Sequence, residues 1–193
     1  MHITNDRFFD PSDQLRTLSE EEALQYSSSF IDENCAENDA AYLKQVIVAG
    51  SNSMEVTYQH ALSGSPTAQF AYGTARLDGA HVEQCVSEGL FWLVRATNGG
   101  NMKAALVLAG VFLEGALTKR CSARAMQYAT VAADGGLPEG KYFLANLLIG
   151  VDELPQDHER AIDLLQAAAQ HGYGPAMAML EENNIPLLPR GDA

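Results

Sequence analysis

Histidine and cysteine are the residues whose spacing could most directly indicate catalysis or metal binding in this chain. The five histidines are His2, His60, His81, His158 and His171, and the three cysteines are Cys35, Cys85 and Cys121. No two histidines have the HxxxH or HExxH spacing that places zinc ligands on one helix face, and no two cysteines form a CxxC pair. We therefore predict that the chain binds no metal ion.

Other motifs of enzyme chemistry are also absent from the sequence. No GxxxxGK(S/T) loop is present to hold phosphates, and the pairs Gly99–Gly100 and Gly135–Gly136 have the positions of helix ends. The adjacent acids Asp152 and Glu153 fit charges near a helix N-terminus, which the helix dipole favours. Because no nucleophile is paired with a base, we predict no catalytic residue, no cofactor and no enzymatic activity.

Charge and composition restrict the kind of partner. Of 193 residues, 25 are acidic and 12 are lysine or arginine, for a net charge of −13. Nucleic acids and anionic membranes require a positive surface, so we expect binding to neither, and the charge favours a basic protein partner. The sequence has no apolar run of membrane-spanning length, no apolar signal-peptide core near Met1, and too few cysteines for a disulfide framework. These features predict a cytoplasmic protein.

A repeat of 36 residues runs through the chain from about residue 67. Gly100, Gly136 and Gly172 are separated by 36 positions each. Four further columns of small or large apolar residues keep this step: Ala96, Ala132 and Ala168; Ala104, Gly140 and Ala176; Gly89, Ala125 and Ala161; Trp92, Tyr128 and Leu164. Five columns in one register indicate a repeat architecture.

Each unit has the apolar periodicity of two amphipathic helices. We predict that helix A begins near Thr67, Lys103 or Glu139, and that helix B spans roughly 86–98, 122–134 and 157–171. Small residues on these helices allow two helix axes to approach closely; they are Gly73, Ala96, Ala109, Ala132 and Ala168.

The repeat resembles the Sel-one-like repeat (SLR) family, which is related to the tetratricopeptide repeat. Three segments carry the family motif: Ala104-x3-Leu108-Ala109-x2-Phe112-x2-Gly115, Ala125-x2-Tyr128-x3-Ala132-Ala133-x2-Gly136, and Ala161-x2-Leu164-x3-Ala168-Ala169-x2-Gly172-x3-Ala176. In departures from the motif, Arg76 replaces its tyrosine, Thr97 its second alanine and Leu164 its tryptophan. The resemblance implies an all-α fold, an α-solenoid of about three full helix-pair repeats, and a non-catalytic role in protein binding.

Both ends of the chain depart from the regular unit, as expected of terminal repeats. Stepping back by 36 residues predicts a degenerate unit with helices at about 33–49 and 53–63. Ser19 and Glu22 have the spacing of a capping box, with a helix running to about Phe30. We assign an N-terminal helical cap at 1–66, repeats at 67–182 and a proline-containing, non-helical tail at 183–193, all in a single continuous domain.

The outer positions of helix A form the candidate partner-binding site. A solvent-facing helix surface is normally polar, and we expect these positions to line the concave face of the solenoid. Six of them nevertheless hold large apolar side chains: Phe70, Leu77, Leu106, Leu113, Tyr142 and Ile149. The alternative is that neighbouring helices or the tail cover them. The candidate residues are Phe70, Thr74, Leu77, Asp78, Leu106, Leu113, Glu114, Tyr142, Asn146 and Ile149.

A second candidate feature is the acidic stretch near the N-terminus. No lysine or arginine lies among its seven acids, which are Glu20, Glu21, Glu22, Asp32, Glu33, Glu37 and Asp39. It is either a solvated helical cap or a docking patch that steers a basic partner.

The favoured functional hypothesis is a small, acidic bacterial protein that captures one partner, in its most concrete version an immunity-type inhibitor of a basic toxin. The alternatives are an adaptor or scaffold in a regulatory or secretion assembly, a self-assembling protein and, remotely, a hydrolase. The sequence leaves the partner's identity and the oligomeric state open.

Overall fold

The computed structural model describes residues 19–27, 35–49 and 53–188. These residues form ten α-helices and no strand, which confirms the predicted all-α class. The helices are α1 Glu20–Ser27, α2 Cys35–Ala49, α3 Met54–Leu62, α4 Pro66–Asp78, α5 Val86–Asn98, α6 Met102–Glu114, α7 Ser122–Asp134, α8 Pro138–Gly150, α9 His158–Gln170 and α10 Gly174–Glu182.

The turns that lead from one helix pair to the next repeat at the 36-residue step. Four glycines at these turns have positive φ values between 81° and 94°, which glycine adopts at no steric cost: Gly64, Gly100, Gly136 and Gly172. The residue after each glycine donates its backbone N–H to a carbonyl five residues earlier, as in Ser65 to His60 at 3.1 Å and Asn101 to Ala96 at 2.9 Å. The turn at Gly64, which follows α3, therefore has the same geometry as the turns between the regular repeats.

The loops inside each unit are also equivalent. In each, the residue before helix B donates its N–H to a carbonyl in helix A nine residues earlier: Cys85 to Arg76 at 2.8 Å, Cys121 to Phe112 at 2.8 Å and Asp157 to Leu148 at 3.2 Å. Cys85 and Cys121 are thus the same position in successive units, and all three cysteines are free thiols. The predicted helix B spans agree with α5, α7 and α9 to within one residue.

The chain forms two compact units, residues 1–101 and 102–193. The division predicted from the sequence, at 66/67 and 182/183, follows the repeat pattern and stays a prediction. The predicted end of the first helix at Phe30, the start of the next at 33 and tail residues 189–193 lie outside the described residues.

The first unit packs an aromatic core around helix α5. Helix α4 packs against α3 and α5, and α1 packs against α5. The core cluster contains Ala23, Tyr42, Ala61, Ala68, Tyr72, Phe91 and Trp92. The Trp92 ring makes edge contacts with Tyr72 and Phe91, with centroid distances of 5.9 and 5.1 Å. Because α1 and α4 both contact α5, the run Leu90–Leu93 is completely buried.

A buried ion pair lies at the edge of this core. Arg76, which replaces the motif tyrosine, is 3% exposed and pairs with the fully buried Glu88 of α5. Its Nε donates to Glu88 Oε2 at 2.7 Å, its Nη1 donates to the Glu83 carbonyl at 2.6 Å, and its guanidinium lies over the Tyr72 ring. Burial disfavours the charged form of Arg76, but the hydrogen bond and charge of Glu88 outweigh it and raise the pKa of the guanidinium.

The second unit stacks its helices in chain order, from α6 to α10. Helices α7 and α8 approach closely because small residues face each other. A Cβ added at Gly140 would lie 2.7 Å from Ala132 Cβ, closer than packed carbon atoms can be. The fully buried Ala132 therefore lies at a close helix approach, as its place in the repeat predicts. Phe112 and Tyr128 stack with ring centroids 5.8 Å apart.

Two N-terminal acids cap helices. The Ser19 hydroxyl and N–H donate to Glu22 Oε2 at 2.7 and 2.9 Å, which confirms the predicted capping box. Asp39 accepts from the Thr67 N–H and hydroxyl at 2.8 and 2.7 Å, and from the Ser65 hydroxyl, at the start of α4. The sequence predicted the capping role of Glu22 but not that of Asp39, whose contacts are with residues 26 and 28 positions later in the chain.

Candidate partner-binding surface

In the second unit, the predicted outer positions lie on two neighbouring helices. Helices α6 and α8 contact each other, and each has three outer positions at the i, i+4, i+7 spacing of one helix face. All six are partly exposed: Leu106, Gly110 and Leu113 on α6, and Tyr142, Asn146 and Ile149 on α8. The opposite side of α8 holds the buried Leu144, Ala145 and Leu148. We call these six positions the helix A face of the second unit.

Gly110 gives this face an unusual feature. It lies in the interior of α6, where glycine costs about 0.5–1 kcal/mol relative to alanine. A Cβ added at Gly110 would meet no atom within 4 Å, and φ is not positive. Neither packing nor backbone conformation within the chain therefore requires glycine here. The sequence interpretation placed Gly110 at an outer position but did not include it among the candidate residues, although a glycine in mid-helix was a visible signal.

Two of the face residues on α8, Tyr142 and Asn146, also make contacts within the chain. Asn146 Nδ2 donates to the Tyr142 carbonyl at 3.0 Å, one turn earlier. The Tyr142 ring packs on Tyr173, the residue before α10, with centroids 5.4 Å apart. Burial, the nearby Glu139 charge and Tyr142 raise the pKa of the Tyr173 hydroxyl. Tyr142 is thus oriented by a neighbouring ring and remains partly exposed.

The first unit keeps only part of its predicted outer face. Phe70 and Thr74 of α4 are partly exposed, and the Thr74 hydroxyl bonds to the Phe70 and Ala71 carbonyls at 3.0 Å each. Leu77 is only 2% exposed. A Cβ at Gly89 would lie 2.6 Å from Leu77 Cδ2, so the leucine fills the space beside that glycine on α5. The assignment of Leu77 to an exposed face is wrong, because the glycine at 89 lets α5 approach this side of α4.

Charged residues end both helices at equivalent positions. Asp78 closes α4 and Glu114 closes α6, 36 residues apart, and both are exposed. Of the acidic stretch, Glu21 and Glu37 are exposed, Glu22 and Asp39 cap helices, the Glu20 side chain is not described, and Asp32 and Glu33 lie outside the described residues. Two of the candidate residues, Asp78 and Glu114, are therefore exposed acids.

The described residues hold no three His, Cys, Asp or Glu side chains grouped to bind a metal ion. No helix among them is both long and apolar enough to cross a membrane.

Comparison with known proteins identifies the architecture. A scan of protein-family models and a search of curated proteins give no match. A solved Sel1 repeat protein from Oxalobacter formigenes is 24% identical, with a TM-score of 0.62, over 68% of this chain and 99% of that one. The chain has the SLR fold. A second SLR-fold structure, a protective antigen present in uropathogenic Escherichia coli strains, is 19% identical with a TM-score of 0.66; the match covers 85% of this chain and 36% of the antigen.

The SLR fold explains why the sequence predicted the helices so well. The motif residues Ala104, Leu108, Ala109 and Phe112 are all completely buried in α6. They are helix-packing residues, so a resemblance carried by them concerns the architecture and does not identify a binding site.

Proposed function

We propose that this chain is a non-catalytic module that binds a protein partner on the helix A face of the second unit. The observation that carries the proposal is Gly110, a mid-helix glycine that the fold does not require and that lies between the partly exposed Leu106 and Leu113. A missing side chain at the centre of an apolar face lets another chain approach the helix backbone closely.

The face has the composition of a binding hot spot. An aromatic ring and three aliphatic side chains, at Tyr142, Leu106, Leu113 and Ile149, remain partly exposed around Gly110. Tyrosine is enriched among residues that dominate binding energy, and apolar groups gain most when a partner removes them from water. In the first unit, Phe70, Thr74 and Asp78 form a smaller face that we propose as a second contact.

We further propose that the partner is basic and that the chain works as a bacterial, cytoplasmic, immunity-type inhibitor of a basic toxin. The net charge of −13 and the exposed Glu114 at the end of α6 support this version. An acidic surface accelerates encounter with a basic protein, which suits an inhibitor that must bind its target before the target acts. An adaptor that binds several partners is the alternative.

Affinity capture from the source cells, followed by calorimetry with the purified partner, tests the proposal. Leu106→Ala and Tyr142→Ala should each weaken binding by more than about 1 kcal/mol, as anchors do, and change the unfolding midpoint little. Gln127→Ala, at an exposed position of α7, is the matched control and should change neither.

Two results would contradict the proposal. If Leu106→Ala and Tyr142→Ala lower stability by the about 2–5 kcal/mol of core truncations, these side chains are core. If they leave both stability and partner affinity unchanged, binding occurs elsewhere. Capture of one basic partner supports the inhibitor, and capture of several partners supports the adaptor.

Salt dependence tests the basic partner. Raising ionic strength should slow association several-fold and leave dissociation nearly unchanged, because exposed charges are screened beyond about 8 Å at physiological salt. Glu20→Gln with Glu21→Gln should reduce this dependence while keeping the Glu22 cap. Glu181→Gln with Glu182→Gln in α10 is the charge-matched control. A rate insensitive to salt would contradict the basic partner.

A further inference from the structure

The segment after α10 is held by one glutamine side chain. Residues 183–188 are not helical, and Gln166 of α9 bonds to two of them. Gln166 Nε2 donates to the Pro186 carbonyl at 2.7 Å, and the Leu188 N–H donates to Gln166 Oε1 at 3.0 Å. The Nε2 and the Oε1 of the Gln166 amide thus both form hydrogen bonds with the backbone of one segment.

This contact recognises backbone more than side chains. Gln166 is 5% exposed, so its amide is fixed within the protein surface. By contrast, Leu187 and Leu188 remain 50% and 56% exposed, so their side chains gain little from the contact. A carbonyl and an N–H two residues apart are the groups that an extended strand offers to a neighbouring strand, and the glutamine amide takes that neighbour's place.

The glutamine is not required by the repeat. The equivalent positions in the two preceding units are Val94 and Thr130. Thr130 donates its hydroxyl to the Met126 carbonyl of its own helix at 2.8 Å. Its side chain lacks the separate N–H donor and carbonyl acceptor that an amide provides. The backbone-binding group is therefore a special feature of the last helix pair.

We propose that Gln166 and the adjoining surface of α9 form a binding site for an extended segment of a partner protein, and that residues 186–188 occupy this site as an intramolecular competitor. The segment must offer a carbonyl at one residue and an N–H two residues later. Proline is accepted at the first position, because only its carbonyl is used. Because the tail is tethered beside the site, it competes at high effective concentration. The site lies in the helix B series, apart from the helix A face.

A chain that ends at Ile185 exposes the site for testing. The Ile185 N–H closes the end of α10 by donating to the Leu180 carbonyl at 2.9 Å, so this truncation keeps the helix end. An acetylated and amidated peptide of residues 183–188 is the probe, and NMR titration of the Gln166 side-chain amide is the readout. We expect saturable binding to the truncated chain, binding several-fold weaker to the full chain, and none to truncated Gln166→Met. Truncated Gln127→Met is the matched control and should bind normally.

Hydrogen exchange in the full chain provides a second measurement that does not depend on the truncation. The Leu188 amide should exchange more slowly than an unbonded amide, and Gln166→Met or added peptide should accelerate it. A fast-exchanging Leu188 amide in the unmodified chain would overturn the proposal. The proposal would also be overturned if the truncated chain folds but binds no peptide, or if the truncated and full chains bind the peptide with equal affinity. A dimer that forms only when the tail is present would overturn it as well, since the occupant would then be another copy's tail.

Discussion

The two compact units use the same 36-residue repeat to build different interiors. In the first unit, α5 is buried on all sides from Leu90 to Ala96, because α1 and α4 both pack against it. In the second unit, α7 buries a stripe of alanines, at Ala125, Ala129, Ala132 and Ala133, and leaves Gln127 and Val131 exposed. One backbone register can therefore hold either a large aromatic core or a layer of small residues.

One pair of positions shows the difference directly. It is Arg76 and Glu88 in the first unit, where both are buried as an ion pair. The equivalent pair 36 residues later is Phe112 and Arg124, with the guanidinium 5.4 Å from the ring centroid. In the next unit it is the buried Leu148 and the exposed Arg160. Helix B therefore holds an acid where helix A holds an arginine, and an arginine where helix A holds an apolar residue.

Breaking the ion pair should have the largest effect. Glu88→Ala leaves Arg76 buried without its carboxylate and should cost about 3–5 kcal/mol. Arg124→Ala removes the guanidinium that lies over the Phe112 ring, a cation–π contact worth on the order of 0.5–2 kcal/mol. Denaturant unfolding measures both, and fluorescence of the single, buried Trp92 reports on the first unit separately from circular dichroism of the whole chain.

The double variant Arg76→Leu with Glu88→Gln sharpens this test. It removes both charges of the ion pair and keeps an acceptor for the Trp92 indole N–H, which lies 3.4 Å from Glu88 Oε1. It should therefore be more stable than Glu88→Ala alone. Equal instability of the two variants would show that side-chain packing, and not charge compensation, determines this site.

Overpacking the thin interior of the second unit should have the next largest effect. Ala132→Leu adds a branched side chain where Gly140 already lies in close contact, and should cost about 1–3 kcal/mol. Val131→Leu, at the neighbouring exposed position, is the control and should change stability little. An unchanged denaturant midpoint for Ala132→Leu would contradict the close approach of α7 and α8.

Two glycine-to-alanine changes in the second unit should have opposite signs. Gly140→Ala should destabilise, because the new methyl group would clash with Ala132. Gly110→Ala should stabilise by about 0.5–1 kcal/mol, because the methyl group meets no atom of the chain. If a partner approaches α6 closely, Gly110→Ala should also weaken its binding. A stabilised variant with unchanged partner affinity would remove Gly110 from the binding surface.

The smallest expected effect concerns the capping box of the first unit. The Ser19 hydroxyl and then the Ser19 N–H lower the pKa of Glu22. A carboxylate with a lowered pKa stabilises the folded state above the ordinary glutamate pKa, and this contribution is lost as the pH falls through the folded value. Glu22→Gln should reduce the loss of helicity on acidification, while Glu37→Gln on α2 should not. Identical acid titrations of all three proteins would contradict this role.

The sequence predicted the helices because their determinants are local and repeated. The apolar period defines each helix, and glycines with positive φ, such as Gly100 and Gly136, mark where one helix pair ends. The candidate site was harder to predict, because exposure depends on which helix covers a position. Leu77 and Leu113 occupy the same place in the repeat, yet Leu77 is buried against Gly89 and Leu113 is partly exposed.

The sequence by itself determined the fold class, the 36-residue register, the boundaries of helix B in each repeat and the capping box at Ser19, since each of these follows from a pattern that is visible along the chain. Only the tertiary structure decided which charges pair, which outer positions reach solvent, and where the tail lies. The Arg76–Glu88 pair and the Gln166 contact with residues 186–188 join separate helices or segments, and the open space at Gly110 depends on which helices lie beside α6. Their geometry depends on how those segments pack, which no local pattern specifies.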